Sequence, residues 1–178
     1  MLKLLQWRCP PIRWRLKNPA HSLFIGALDQ VFPDARFVMT HRDTGSVLPS
    51  VSDLYLELRR AYSDHVDLPA IGAETCDFCE LGMRRMLAFR TAGNEQRFFD
   101  IAFAPFQADP FPIIAELYDW LGEDLSPVAL ERMREWRRTT PRDAGYERTP
   151  MAEFGLSEAA LRARFAFYSQ RFGLECVQ

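Results

Sequence analysis

Lysine is almost missing from this chain. Only Lys3 and Lys17 stand among 22 basic residues, and the rest are arginine. The arginine bias carries no mechanism of its own, but it makes Lys17 conspicuous, because a compact ammonium suits phosphate-like groups. Cysteine is also scarce, at positions 9, 76, 79 and 176. The first eight residues turn polar too quickly for a secretory segment, so a disulfide framework is not expected and the cytoplasm is the expected location. Cys76-Asp77-Phe78-Cys79 spells C-x-x-C. No second ligand pair lies nearby for zinc, and the surroundings read as helix, not as the strand end that a redox motif follows; chance spacing is the expectation, with no metal. No apolar run approaches the ~20 residues of a membrane span. A formal net charge of -2 excludes a general nucleic-acid binder, which carries a clear basic excess. There is no internal repeat and no low-complexity tract. A Gly-x-x-x-x-Gly-Lys-Ser/Thr loop is absent, which removes the nucleotide kinases.

What remains is the profile of one globular unit. The chain has 178 residues, 48% hydrophobic and 26% charged, enough for one sizeable core and a single domain over 1–178. Residues 1–8 read as the tail of a helix. Arg13 to Lys17 alternates like a short strand before Asn18-Pro19 breaks it. Apolar residues at 23, 24, 27, 28, 31 and 32 predict an amphipathic helix over 21–32. Residues 35–40 read as a buried strand. Asp43 is an N-cap for a helix over 47–62, with Pro49 in its first turns. A long helix is expected over 68–90, in one piece or two around Gly72. A third strand falls at 97–103, and helices follow at 110–121, 127–138 and 157–172, the last stopped by Gly173. Alternating strands and helices imply an α/β fold: a short parallel sheet of about three strands flanked by helices, with a helical C-terminal half.

In open parallel sheets, ligands bind beyond the C-terminal ends of the strands. Two strand ends here carry suitable groups. The first is Leu16-Lys17-Asn18-Pro19-Ala20-His21. The second is Thr40-His41-Arg42-Asp43, followed by a helix with Ser46 and Ser50. Spacing alone leaves two readings of the second. Arg42 and Ser50 grip a phosphate at a helix N-terminus, or Arg42-Asp43 is a surface pair beside an ordinary helix serine. His41 reads as a packed or locally bonded side chain. Lys17 reads as a solvent-facing strand-end lysine or a point charge suited to phosphate-like groups, and His21 as a helix cap or a core histidine. Phe103 reads as a core strand aromatic. Arg132, Arg134, Arg137 and Arg138 read as a solvated helix face. Met83, Met86, Leu87 and Phe89 suit either an apolar pocket wall or plain core.

The run Phe32-Pro33-Asp34-Ala35-Arg36-Phe37-Val38-Met39-Thr40-His41-Arg42-Asp43, continued to Pro49-Ser50, resembles the 3′-phosphate-binding segment of sulfotransferases that use 3′-phosphoadenosine 5′-phosphosulfate (PAPS). Trp14-Arg15-Leu16-Lys17-Asn18-Pro19-Ala20-His21 is similar to the Leu-Lys-Ser/Asn-Pro-x-His signature of a mainly bacterial branch. Phe103-Ala104-Pro105-Phe106-Gln107-Ala108-Asp109-Pro110 is similar to the family's aromatic-acidic stretch ending in Asp-Pro, with Ala104-Pro105 where the family has acidic residues. The resemblance implies an incomplete P-loop-like three-layer fold and PAPS as co-substrate. Arg42 and Ser50 would bind the donor's 3′-phosphate, and Phe103 would stack on adenine. Lys17 and His21 would be the catalytic pair, as charge stabiliser and base. The acceptor would be a small molecule, lipid or carbohydrate bearing a hydroxyl or amine. Pro141-Arg142-Asp143 stands where the family often has a basic loop, with Arg142 the one candidate. The family's 5′-phosphosulfate loop, Gly-x-x-Arg-Ser/Thr-Gly-Thr/Ser, is not in these residues. The chain thus looks like the C-terminal part of a sulfotransferase domain with impaired transfer. The alternative is a non-catalytic remnant or helical interaction protein, self-associating through an uncovered sheet edge.

Overall fold

The computed structural model describes Trp7, residues 13–140 and residues 148–174. Its organising element is a two-stranded parallel ladder. β1 (Phe37–His41) pairs with β2 (Phe98–Ala102) in a register running from Phe37 opposite Phe98 to His41 opposite Ala102. Parallel strands need a long crossover, and two helices supply it. These are α2 (Thr44–Arg60) and α3 (Leu68–Phe89), preceded by the short α1 (Ile25–Val31). After β2 come α4 (Phe103–Ala108), α5 (Pro110–Leu121), α6 (Pro127–Thr139), α7 (Glu158–Arg164) and α8 (Ala166–Phe172).

One face of the ladder builds the core. Side chains alternate along a strand, so Phe37, Met39 and His41 share a face with Phe98, Asp100 and Ala102. The Phe37 and Phe98 rings stack at 5.0 Å, and Phe89 meets both edge-on. Met86 of α3, Ile25 of α1 and Tyr168 of α8 close over them. Met83, Leu87 and Phe89 pack against the same cluster as partly buried side chains.

The helix boundaries follow from capping. Asp43 accepts from the Ser46 N–H at 2.9 Å, and Ser46 Oγ donates back to the Asp43 carbonyl at 2.9 Å. That starts α2 at Thr44, three residues earlier than the hydrophobic pattern predicts. Asp67, Asp109, Ser126 and Ser157 cap α3, α5, α6 and α7 in the same way. Gly122 at φ 67 ends α5.

Two expectations change, and one open choice is decided. Residues 14–18 form no regular element and join no ladder, so the sheet has two strands among the described residues. Arg13 instead donates to the Leu121 carbonyl at 3.2 Å and pairs with Glu123, and Arg15 also pairs with Glu123. The expected 157–172 helix breaks at Phe165, whose ψ of 13 takes it out of helical geometry while its ring is buried against Leu48, Cys76 and Leu161. Helix α3 runs unbroken through Gly72. A Cβ there would lie 2.1 Å from the Phe154 carbonyl oxygen, so glycine lets the turn Met151–Phe154 approach the helix backbone.

Gly72→Ala tests that contact. Helix propensity alone favours alanine by about 1 kcal/mol, whereas the backbone clash costs about 1–3 kcal/mol. We expect a lower urea midpoint for the variant, and a higher midpoint would show that the close approach is absent.

Candidate functional site

Both strands end at the same edge of the ladder. Because His41 lies opposite Ala102, the next residues, Arg42 and Phe103, emerge side by side. The Arg42 guanidinium carbon sits 4.3 Å from the centre of the Phe103 ring, a cation–π distance. Phe103 is half-buried at the start of α4, one residue beyond β2. Arg42 is exposed, and its charge faces outward at the mouth of α2, where Asp43 caps the helix. Ser46 and Ser50 share a face of α2 at i, i+4. Ser50 is half-buried about 9 Å along the helix axis from Thr44, and among the described residues its hydroxyl takes no partner within the chain.

The other strand-end residues sit on a docked turn. Asn18 Oδ1 accepts from the Ala20 N–H at 2.9 Å and caps a single 3-10 turn, Pro19–Ser22. His21 is therefore neither that cap nor core: it is half-buried within the turn. Lys17 is exposed just before it. The turn is fixed against α3, where Gly82 faces Ser22 and Arg85 donates to the Leu23 carbonyl at 2.8 Å. The structure thus puts Arg42 and Phe103 in contact. It joins neither Ser50 to Arg42 nor Lys17 to His21 by a hydrogen bond.

Beneath Arg42 lies a buried network that sequence reasoning missed. His41 is 2% exposed. Its Nε2 lies 2.7 Å from Asp100 Oδ1 and its Nδ1 lies 2.6 Å from the Tyr168 hydroxyl. Asp100 in turn receives Arg90 Nη1 at 2.8 Å and Nη2 at 2.6 Å. Arg90 also forks onto Glu95, which holds Arg171 at 2.7 Å. The Arg90 guanidinium lies over the Phe98 and Phe172 rings, and Phe172 stacks on His41 at 3.9 Å. An ionised carboxylate only accepts, so Nε2 carries the imidazole hydrogen and Nδ1 accepts from the Tyr168 hydroxyl. Burial raises the Asp100 carboxyl, but hydrogen bonds from Arg90 and His41 outweigh it and hold the group below its ordinary value. Burial also pushes His41 below 6.5 against the pull of Asp100, so the ring stays neutral. The signal in the sequence was an aspartate at the centre of the apolar run Phe98-Phe99-Asp100-Ile101.

The remaining motifs settle plainly. Cys76 and Cys79 lie within α3, and burial raises both thiols, Cys79 to about 11, which disfavours the reactive thiolate. Among the described residues no group of three or more His, Cys, Asp or Glu side chains could hold a metal. In the α6 arginine face, Arg137 departs from the solvated reading and donates to the Gln107 and Ala108 carbonyls at 2.9 Å. Arg134 and Arg138 pair with Glu131 and Glu135. Arg142 lies outside the described residues, as do the first six residues of the expected N-terminal helix tail. No helix among the described residues is long and apolar enough to cross a membrane.

Likeness to known proteins gives the family. A family model described as the sulfotransferase family matches residues 1–127. The chain belongs to the sulfotransferase family. It is 30% identical over 127 residues to the omega-hydroxy-beta-dihydromenaquinone-9 sulfotransferase Stf3 of Mycobacterium bovis, covering 68% of this chain and 31% of that protein. The same protein of Mycobacterium tuberculosis matches equally. The structure superposes on sulfotransferase STF9 from Mycobacterium avium with a TM-score of 0.85 at 30% identity, over 98% of this chain and 45% of the other. STF1 from Mycobacterium tuberculosis gives 0.71 at 30% identity, over 87% and 40%. The chain thus spans under half the length of each of these relatives.

The neutral histidine predicts how this sulfotransferase-family chain responds to acid. In the unfolded chain His41 takes up a proton near pH 6.5, and in the folded chain only at lower pH. Its contribution to stability is therefore present above pH 6.5 and lost as pH falls below that value. Asp100 and Glu95, both lowered from 3.8 and 4.5, add a second loss below about pH 4.5. Urea midpoints should drop between pH 7.5 and 5.5, and less so for His41→Gln. A flat wild-type profile in that window would contradict the assignment.

Proposed function

We propose that this chain provides the nucleotide-holding part of a PAPS-dependent sulfotransferase. The observation that carries the reading is the register of the ladder, which sets Arg42 on the Phe103 ring at the strand ends. An exposed guanidinium backed by an aromatic face, beside the capped start of α2 with Ser50 further along it, matches the needs of a dianionic nucleotide 3′-phosphate. Arg42 supplies the fork of donors, Ser50 a hydroxyl, and the α2 N-terminus a favourable dipole. Phe103 offers adenine the edge or face of its ring that Arg42 leaves open.

Sulfuryl transfer moves an SO3-like group in line from the phosphate of the donor to an acceptor oxygen or nitrogen. The protein's part is positioning and charge stabilisation, by analogy with phosphoryl transfer. In this reading Lys17, exposed beside the Pro19–Ser22 turn, neutralises charge that grows on the bridging oxygen. His21 takes the acceptor's proton. The Stf3 relatives are named for a hydroxylated menaquinone, which supports a lipid-like acceptor bearing a hydroxyl group. The 178 residues hold no Gly-x-x-Arg-Ser/Thr-Gly-Thr/Ser loop to donate N–H groups to the phosphosulfate, so we expect donor binding with weak transfer by this chain alone.

Adenosine 3′,5′-bisphosphate tests the reading directly. At 100 times its dissociation constant it should stabilise the folded chain by about 2.7 kcal/mol, raising the melting temperature by about 5–10 °C. Arg42→Ala should remove most of that rise, and Lys17→Ala should leave it nearly intact. No shift in a folded wild-type sample would overturn the proposed site.

A further inference from the structure

We infer that His41 and Tyr168 are positioning residues for the 3′-phosphate site. The buried imidazole, held in one tautomer, fixes the end of β1 so that Arg42 stands on Phe103. This rests on the proposed binding of the 3′-phosphate by Arg42.

His41 and Arg42 are consecutive residues at the end of β1. Arg42 is exposed and carried on a long flexible side chain, so its placement depends on the backbone below it and on the Phe103 face. The backbone at this point has one neighbour in the ladder, β2, and the last paired residue is His41. The His41 side chain reaches back along the sheet to Asp100, two residues before its ladder partner Ala102, and bonds it at 2.7 Å. That diagonal contact ties the end of β1 to the middle of β2. The Tyr168 hydroxyl closes the other ring nitrogen at 2.6 Å from α8, and the Phe172 ring covers the imidazole face. Asp100 cannot swing away, because both its oxygens are engaged by buried Arg90. Every polar atom of the imidazole is thus occupied, and a rotation of its ring would cost both bonds. Phe103 is fixed by the same strand, one residue past Ala102. The α8 helix, remote in sequence, therefore holds both halves of the Arg42–Phe103 contact.

A group that only stabilises the fold affects all ligands alike. One that positions Arg42 affects the 3′-phosphate alone. The experiment measures dissociation constants by calorimetry for adenosine 3′,5′-bisphosphate and adenosine 5′-phosphate. Their ratio reports the 3′-phosphate contact. The wild-type ratio should be about 10 or more, the size of a charge-assisted hydrogen bond, and Arg42→Ala should bring it near 1. Tyr168→Phe, which keeps the ring and removes only the hydroxyl, should lower the ratio about fivefold with the adenosine 5′-phosphate constant unchanged. His41→Ala should do the same, and His41→Gln, whose amide can both donate to Asp100 and accept from Tyr168, should recover most of it.

An unchanged ratio in Tyr168→Phe and His41→Ala, with Arg42→Ala still abolishing it, overturns the inference and leaves the proposed function standing. A wild-type ratio near 1 overturns both. Should the variants fail to fold, the imidazole nitrogen resonances of 15N-labelled wild type decide the matter. The neutral Nε2–H tautomer at pH 7 supports the positioning role, and the Nδ1–H tautomer or an imidazolium overturns it.

Discussion

Arg90 is a charged group that the fold has taken out of water, with its side chain 3% exposed. An unpaired charge in that position would be prohibitive. The structure answers with two carboxylates, Asp100 and Glu95, each meeting the guanidinium through two hydrogen bonds, and with the Phe98 and Phe172 ring centres 4.4 and 5.2 Å from its carbon. Both carboxylates retain contact with solvent at their outer edges, so the pairing is weaker than in a dry interior. Its consequence is geometric. Asp100 cannot leave Arg90, so its orientation is set, and His41, Tyr168 and the end of β1 take their places from it. A short sheet of two strands has little stiffness of its own, and this network supplies what the ladder lacks.

The same constraint leaves Arg42 exposed on one ring while the groups behind it are many and mostly buried. Arg42 touches one ring. Behind it stand Arg90, Glu95, Asp100, His41, Tyr168 and the rings of Phe98 and Phe172, drawn from β1, β2, α8 and the turns that follow α3. Supporting shells of this kind confine a binding side chain to a narrow range of positions. The superposition on STF9, with a TM-score of 0.85 over 45% of that chain, takes in the fold around the Arg42 strand.

Much of the fold was legible in the sequence where one residue decides the outcome. Asp43, Asp109 and Ser126 cap their helices as read, and Gly122 and Gly173 stop theirs. The strand before Arg42 was visible as an apolar run, and Arg42 and Ser50 stood out through their spacing and their resemblance to a family segment. Alternation over Arg13 to Lys17 misled, because period two makes a strand only where a partner edge is available, and there the arginines find Glu123. Phe165 was invisible as a helix break, since the demand that its ring fill the space beside Leu48 comes from tertiary packing. Asp100 and Tyr168 lie 59 and 127 residues from His41. No local pattern reveals that a histidine read as packed is bonded to both.

If Arg42 at the end of β1 receives a nucleotide 3′-phosphate, the two phosphates of one ligand should sense the chain unequally. Phosphorus NMR of adenosine 3′,5′-bisphosphate separates them. On titration with the folded chain, the 3′ resonance should shift and broaden while the 5′ resonance moves far less. A 5′ resonance that moves while the 3′ stays in place, or two that both stay fixed, would contradict that contact.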